Sequence, residues 1–152
     1  MILGIDPGKS GAIAAFTDGG RLVGIDDMPV AGNLVSAALL DEMLHNRIDP
    51  FADTPGTAVI EQVHAMPGQG VSSSFGFGRS LGVLEGVLAG QGWRIVWVTP
   101  AKWKRALGLT ADKDMSRKRA LELWPEHAPL FARKKDDGRA EAALIAHWWL
   151  QS

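Results

Sequence analysis

Carboxylates follow two strand-like runs of this sequence, at the point where each run ends. Asp6 comes after the apolar residues 2–5 and before a turn at residues 7–11, and Glu61 comes after the apolar residues 57–60. Sites in open α/β sheets gather just beyond the carboxyl ends of strands, so this placement favours a shared site. The alternative for Asp6 is structural, with its side chain accepting hydrogen bonds from the amides of the turn.

Three more acids lie where a final helix is predicted to begin. Asp136, Asp137 and Glu141 precede or open an alanine-rich segment that runs to about Leu150. If the helix begins near Asp137, then Asp137 and Glu141 lie four residues apart on one face, where like charges repel. Stability alone therefore does not select the pair. The structural alternative makes one of the two aspartates the helix N-cap and pairs Glu141 with a nearby lysine or arginine.

These acids would form one cluster if the start of the last helix packs beside the first and fourth strands. The cluster would contain Asp6, Glu61, Glu141 and either Asp136 or Asp137. A ligand set made only of oxygens favours Mg²⁺ or Mn²⁺ over zinc. Two such ions about 4 Å apart can bind both sides of a scissile phosphate, one activating water and the other stabilising the leaving oxygen.

Composition excludes several other chemistries. The 152 residues suit one domain with a sizeable core, and the chain has no cysteine, which excludes disulfides, thiolate zinc sites and a cysteine nucleophile. The N-terminus lacks the features of a signal peptide, and no apolar run approaches the roughly 20 residues of a membrane span. We therefore expect a soluble, cytoplasmic protein without membrane contacts.

Charge is unevenly distributed along the chain. The net charge is −1, but residues 1–100 carry five basic and ten acidic side chains, whereas residues 101–139 carry eleven basic and six acidic ones. A basic C-terminal region beside an acidic cluster suits a polyanionic partner such as nucleic acid. The structural alternative is a solvated helical face.

The coarse pattern predicts an α/β fold. Strands are expected at residues 2–6, 11–17, 21–28, 57–61 and 93–98, the first three forming a meander; helices are expected from an Asn33 cap to about Ile48, from Phe75 to Ala89, after Thr99, over 115–124 and over 137–150. Residues 64–74 are predicted to form a loop. Gly78, Gly82 and Gly86 recur at every fourth position, which suggests close packing against the sheet or a partner subunit.

The Gly8-Lys9-Ser10 segment is not a phosphate-binding loop. That motif requires a glycine five residues before its Gly-Lys-Ser, and position 3 is leucine. We therefore expect no nucleotide cofactor. Trp103 and Trp124 are predicted to be core residues rather than platforms for base stacking.

Three segments together resemble the RuvC family of Holliday junction resolvases, within the RNase H-like nucleases. They are Gly4 to Gly8 opening a meander, Glu61 ending a strand before a loop, and Asp137 to Ala142 beginning the last helix. The resemblance spans nearly the whole chain and implies one RNase H-like nuclease domain over residues 1–152. Its sheet would have three antiparallel strands extended by two parallel ones and flanked by helices.

The resemblance also implies a function. It indicates a homodimer that uses two Mg²⁺ or Mn²⁺ ions per site to hydrolyse branched DNA at four-way junctions, leaving 5′-phosphate ends. The implied metal ligands are Asp6, Glu61, Asp137 and Glu141, with Asp136 as the alternative third ligand, and Lys102, Lys104 or Lys113 would assist at the phosphate. Expected DNA contacts are Phe75, Phe77, Arg79, Lys102, Lys104, Lys118, Lys134 and Lys135.

Two departures from the family pattern matter. RuvC proteins place an acid or histidine three residues before the last acid, where this chain has Gly138, and they end with aspartate where this chain has Glu141. The Lys- and Trp-containing segment 99–127 is more similar to phage or prophage versions, which implies a broader range of branched substrates.

Two rival functions remain open. Sugar kinases and actin-like ATPases also open with Gly-Ile-Asp-x-Gly on a hairpin, but they need two such lobes and this chain has residues for one. A catalytically inactive nucleic-acid-binding relative is the second rival, and the presence of all the acids argues against it.

Overall fold

A computed structural model describes residues 1–47, 55–63 and 70–152 of the chain. The five strands of its main sheet are β1 (Ile2–Asp6), β2 (Ala12–Phe16), β3 (Leu22–Asp27), β6 (Thr57–Glu61) and β7 (Arg94–Val98). They lie side by side in the order β3-β2-β1-β6-β7. Strands β1 to β3 pair antiparallel, while β6 pairs parallel to both β1 and β7. The predicted mixed sheet is confirmed.

The remaining elements cover the two faces of this sheet. A small hairpin joins β4 (Val30–Ala31) and β5 (Leu34–Val35), and the helices are α1 (Ala37–His45), α2 (Val71–Gly90), α3 (Pro100–Ala106), α4 (Lys113–Leu123) and α5 (Asp137–Leu150). Two 3₁₀ segments, Pro125–Leu130 and Lys134–Asp136, lead from α4 into α5. No helix among the described residues is long and apolar enough to cross a membrane.

Strand alternation divides the core into two layers. Successive side chains of a strand point to opposite faces, so Ile2 and Val59 join the cluster that contains α5, whereas Leu3 and Ile60 join the cluster under α1 and α2. The apolar runs of β1 and β6 are continuous because both faces of these central strands are covered.

A glycine lets α5 approach the central strand closely. A Cβ atom on Gly4 would lie 2.1 Å from the Ala142 carbonyl oxygen and 2.5 Å from the Ala146 nitrogen, so a larger residue cannot fit. The small alanine side chains of α5 also allow the helix to lie close to β1. This contact places the start of α5 beside the end of β1.

Several predicted boundaries were wrong. The first helix begins at Ala37 with Ser36 as its N-cap, because residues 34–35 form β5; Asn33 is therefore not the cap. Helix α2 begins at Val71 rather than Phe75, so residues 71–74 are helical and not part of a loop. The predicted loop residues 64–69 and the predicted helix end at Ile48 lie outside the described residues.

Candidate active site

Three acids from separate elements face the same side of the sheet. Asp6 shares a strand face with Ile2 and Gly4, and Glu61 shares one with Val59, so both point toward the layer that contains α5. Glu141 lies on the first turns of α5 and is buried, 6% exposed. The register of β1 with β6 pairs Ile5 with Ile60, so the two strands end side by side.

Asp6 carries an unfavourable charge in this position. The pKa of Asp6 is raised from 3.8 to about 7, chiefly by burial and in smaller part by the nearby charges of Glu141 and Glu61, although a hydrogen bond from the Gly8 amide opposes the rise. That amide donates to Asp6 Oδ1 at 3.2 Å. The structural role proposed as the alternative for Asp6 is thus present, and it leaves the clustering of the three carboxylates unexplained.

Glu61 is held by an indole. It is 7% exposed, and Trp103 Nε1 donates to Glu61 Oε1 at 2.9 Å. Burial raises the pKa of Glu61, and the indole hydrogen bond acts against that rise. Trp103 is fully buried, so the prediction that it is a core residue is confirmed, and it also contacts the site.

Glu141 is held by a lysine and a serine. Lys104 Nζ lies 2.7 Å from Glu141 Oε1, and Ser116 Oγ donates to the same oxygen at 3.3 Å. Ser116 is fully buried on α4. The structural alternative for Glu141, an ion pair with a nearby base, is therefore observed, and Lys104 brings its charge to the acids.

The two aspartates at the start of α5 have different surroundings. Asp136 is 2% exposed and accepts hydrogen bonds from the Arg133 backbone amide at 2.8 Å and from the Arg133 guanidinium at 2.9 Å. Asp137 pairs with Lys113, whose charge also acts on Asp6 and Glu61. Asp136 is thus committed to Arg133, whereas Asp137 is connected to the three-acid cluster through Lys113.

The donor types suit a hard cation. Within residues 1–47, 55–63 and 70–152, no three acidic or histidine side chains already surround a point where a metal ion would bind. Two lysine ammonium groups, those of Lys104 and Lys113, compensate part of the negative charge instead. Carboxylate oxygens are nevertheless the type of ligand that binds Mg²⁺ or Mn²⁺.

A cleft of about 590 Å³ opens beside the turn that follows Asp6. It lies between that turn, the β4–β5 hairpin and the start of α2, and the predicted DNA contacts Phe75, Phe77 and Arg79 line it. Lys9, which the motif analysis considered only as part of a rejected phosphate-binding loop, lines it as well. Phe75 is 68% exposed, an unusual position for a large aromatic side chain unless it has a partner.

The other predicted DNA contacts spread over the basic half of the chain. Lys102 is exposed, with its ammonium 5.3 Å from the centre of the Trp148 ring, and Lys118 is exposed on α4. Lys134 and Lys135 are exposed in the 3₁₀ turn before α5. Lys104 is the exception because it turns inward to Glu141.

Sequence reasoning missed two residues that contact the acids. The indole of Trp103 and the hydroxyl of Ser116 hold the two glutamates, yet Trp103 was assigned only to the core and Ser116 to nothing. The only feature of the sequence that could have connected Trp103 with the acids is the pair of lysines beside it, Lys102 and Lys104. Ser116 lies 25 residues before Glu141, and no local pattern joins them.

Comparisons with known proteins support the resemblance to RuvC-like resolvases. No protein family has a sequence profile that matches the chain. The chain is 36% identical over 93 residues to the chloroplastic Holliday junction resolvase MOC1 of Chlamydomonas reinhardtii. That match covers 60% of this chain, which spans about a tenth of the length of the algal protein.

Solved structures with the same fold include RuvC of Thermus thermophilus. The match to the RuvC structure has a TM-score of 0.66 at 18% identity and covers 99% of this chain and 95% of RuvC. The match to RuvC in complex with a Holliday junction substrate has a TM-score of 0.62 at 18% identity and covers 97% and 90% of the two chains. The predicted RNase H-like fold of the RuvC type is therefore confirmed.

Proposed function

We propose that this chain is a metal-dependent endonuclease that hydrolyses branched DNA and resolves four-way junctions. The observation that carries the proposal is the convergence of Asp6, Glu61 and Glu141, three mostly buried acids from three elements, on one side of the sheet. Burial and mutual repulsion of these carboxylates lower the stability of the fold. Their presence is explained if the site functions by binding cations. The similarity to MOC1, named a Holliday junction resolvase, supports the choice of substrate.

In this proposal Asp6, Glu61, Asp137 and Glu141 hold two Mg²⁺ or Mn²⁺ ions. Bound ions of this type activate the attacking water and stabilise the leaving oxygen of a phosphodiester. The chain's own lysines prepare the site: Lys104 holds one oxygen of Glu141, and Lys113 holds Asp137. Both ammonium groups also bring positive charge to where a DNA phosphate approaches the acids. Asp136 is the less suitable third ligand because Arg133 already engages it.

The DNA path is proposed to run from the acids into the cleft beside Asp6. Arg79 and Lys9 line this cleft, and their positive charges are proposed to contact phosphates. Phe75 and Phe77 offer aromatic faces to bases at a junction, which are less well stacked than those of linear duplex. Lys102, Lys118, Lys134 and Lys135 extend the positive surface.

We also propose that residues 1–152 act as one nuclease domain within a homodimer. Gly78, Gly82 and Gly86 occupy one exposed face of α2, and nothing in the described chain lies within 4 Å of a Cβ atom built at any of them. Helical glycines cost about 1 kcal/mol each, and no contact with the sheet compensates for these. A second copy packed along this row would do so. The absence of cysteine suits action in the cytoplasm.

Cleavage of synthetic DNA tests the proposed function. The purified protein, with Mg²⁺ or Mn²⁺, is expected to cut a four-way junction and to leave 5′-phosphate ends. Flap, fork and linear duplex substrates of the same sequences measure selectivity. Cutting of all branched forms alike would favour the broader nuclease that the phage-like segment 99–127 suggests.

Isosteric variants separate catalysis from binding. Asp6→Asn and Glu61→Gln are expected to abolish cleavage while junction binding, measured in the presence of a chelator, is retained. Cleavage at the wild-type rate by either variant would refute the assignment. Binding without cleavage by the wild-type protein, under all metal conditions, would indicate the inactive DNA-binding relative instead.

A further inference from the structure

We infer that Trp103 is a positioning residue that orients both buried glutamates for cation binding, an inference that rests on the proposed active site. Trp103 Nε1 donates to Glu61 Oε1 at 2.9 Å, and its ring centre lies 5.0 Å from Lys104 Nζ. The same ammonium group binds Glu141 Oε1 at 2.7 Å. One indole therefore contacts Glu61 directly and Glu141 through Lys104.

The chemistry of this contact exceeds what packing requires. An aliphatic or phenyl side chain would fill a fully buried position on α3 without bringing a polar N–H group into it. The indole N–H instead meets a carboxylate, and within the described residues it is the one hydrogen-bond donor to the Glu61 carboxylate. Groups that hold a metal-binding side chain in this way fix its orientation before the ion arrives.

Trp124 is a second buried tryptophan of this fold, and it serves only in core packing. It is 7% exposed and packs its ring against Phe16 at 5.5 Å, Phe131 at 6.1 Å and His147 at 5.5 Å. Its N–H group makes no hydrogen bond to the described part of the chain, and none of its ring partners is an acid of the proposed site. Trp124 is therefore a matched control for Trp103.

The test compares Trp103→Phe with Trp124→Phe in Mn²⁺ binding to the DNA-free protein, followed by electron paramagnetic resonance. Trp103→Phe is expected to weaken Mn²⁺ binding by about 10-fold to 100-fold, because the orientation of Glu61 is lost. Trp124→Phe is expected to lower the thermal midpoint and leave Mn²⁺ affinity unchanged. Equal Mn²⁺ affinity of Trp103→Phe and wild type would overturn the inference.

Two further measurements make the inference specific. In a Glu61→Gln background, Trp103→Phe is expected to cause a smaller loss of Mn²⁺ affinity than in the wild-type background, whereas fully additive losses would contradict a role through Glu61. If Trp103→Phe fails to fold, benzothienylalanine at position 103 removes only the N–H group and keeps the shape of the side chain. The same loss of Mn²⁺ affinity is expected from it, and unchanged affinity would overturn the inference.

Cleavage assays on the same proteins distinguish this inference from the proposed function. At low Mg²⁺, Trp103→Phe is expected to cut junctions more slowly, and high Mg²⁺ is expected to restore part of the rate. A wild-type protein that binds Mn²⁺ in a Trp103-dependent way but cuts no DNA would refute the nuclease function and support the positioning role. A wild-type protein that binds no Mn²⁺ would refute both.

Discussion

Gly138 of α5 packs directly against Asp6 of β1. A Cβ atom on Gly138 would lie 3.2 Å from Asp6 Oδ2, 2.7 Å from the Ser10 carbonyl oxygen and 2.9 Å from the Gly11 Cα. The first turn of the last helix therefore rests on the turn that follows the first strand, and this contact brings Glu141 to Asp6. In this chain the same contact leaves no room for a side chain three residues before Glu141, because a Cβ atom there would approach backbone atoms of the turn.

Gly138→Ala is expected to destabilise the protein and to slow cleavage. The added methyl group meets backbone atoms of Ser10 and Gly11, so either α5 or the turn must shift, at a cost of about 1 to 3 kcal/mol. Thermal unfolding measures this cost. Gly90→Ala at the end of α2 is the control, since nothing lies within 4 Å of its Cβ position, and equal midpoints for the two variants would contradict the packing argument.

Asp136→Asn and Asp137→Asn are expected to have opposite effects. Asp136→Asn weakens the bonds from Arg133 that connect the 3₁₀ turn to α5, so it should lower stability by about 1 to 3 kcal/mol and leave most of the cleavage rate. Asp137→Asn loses an ion pair whose lysine is 69% exposed, so stability should change by less than about 1 kcal/mol. Its junction cleavage should fall much further than that of Asp136→Asn, and the reverse order would make Asp136 the ligand.

Asp6→Asn is expected to stabilise the metal-free protein while it abolishes cleavage. The pKa of Asp6 is raised from 3.8 to about 7 in the fold, so its favourable contribution is present at low pH and is lost as the pH rises through about 7. The asparagine variant has no such charge to bury. It should therefore gain stability relative to wild type as the pH rises from about 4 to about 7, by roughly 2 to 4 kcal/mol at the upper end.

Denaturant unfolding in the presence of a chelator checks this pH dependence. The chelator matters because a bound cation would stabilise the ionised carboxylate and reverse the comparison. Asp18→Asn is the control, since Asp18 is an exposed acid that pairs with the N-terminal amine. A constant difference between wild type and Asp6→Asn across this pH range would show that burial of Asp6 does not govern the effect.

The parts of the site that lie on strands could be predicted from sequence. The apolar runs place Asp6 and Glu61 at the carboxyl ends of two strands, and the parallel pairing of β1 with β6 brings those ends side by side. Glu141 followed from the helical pattern of α5. Each of these predictions depends only on the spacing of apolar residues within a single strand or helix.

The parts held by long-range contacts could not be predicted. Lys104 and its partner Glu141 are 37 residues apart in the sequence, and Trp103 and its partner Glu61 are 42 residues apart. No local sequence pattern indicates that either pair is in contact. The choice between Asp136 and Asp137 depended on whether Arg133 reaches back to one of them, which requires the 3₁₀ turn that precedes α5. The boundary of α1 was wrong because the hairpin of β4 and β5 used residues that also suit a helix.

Lys104→Met is expected to destabilise the metal-free protein and to increase its stabilisation by Mg²⁺. Removing the ammonium group leaves Glu141 buried without its ionic partner, which costs roughly 3 kcal/mol. A divalent cation can replace that charge, so the rise in thermal midpoint on adding Mg²⁺ should be larger than in wild type. Lys102→Met, which changes an exposed lysine on the same helix, is the control, and equal Mg²⁺ responses in both variants would contradict this role.

Gly82→Glu is expected to convert the proposed homodimer to a monomer. Gly82 lies in the middle of the exposed glycine row of α2, where a long charged side chain would separate two packed copies, and no described residue lies within 4 Å of its Cβ position. Gly19→Glu makes the same change in the exposed turn between β2 and β3 and should leave the assembly intact. Sedimentation velocity distinguishes the species. A wild-type protein that sediments as a monomer, or two variants that both remain dimers, would show that this face is not the interface, and the glycine row would then need another partner.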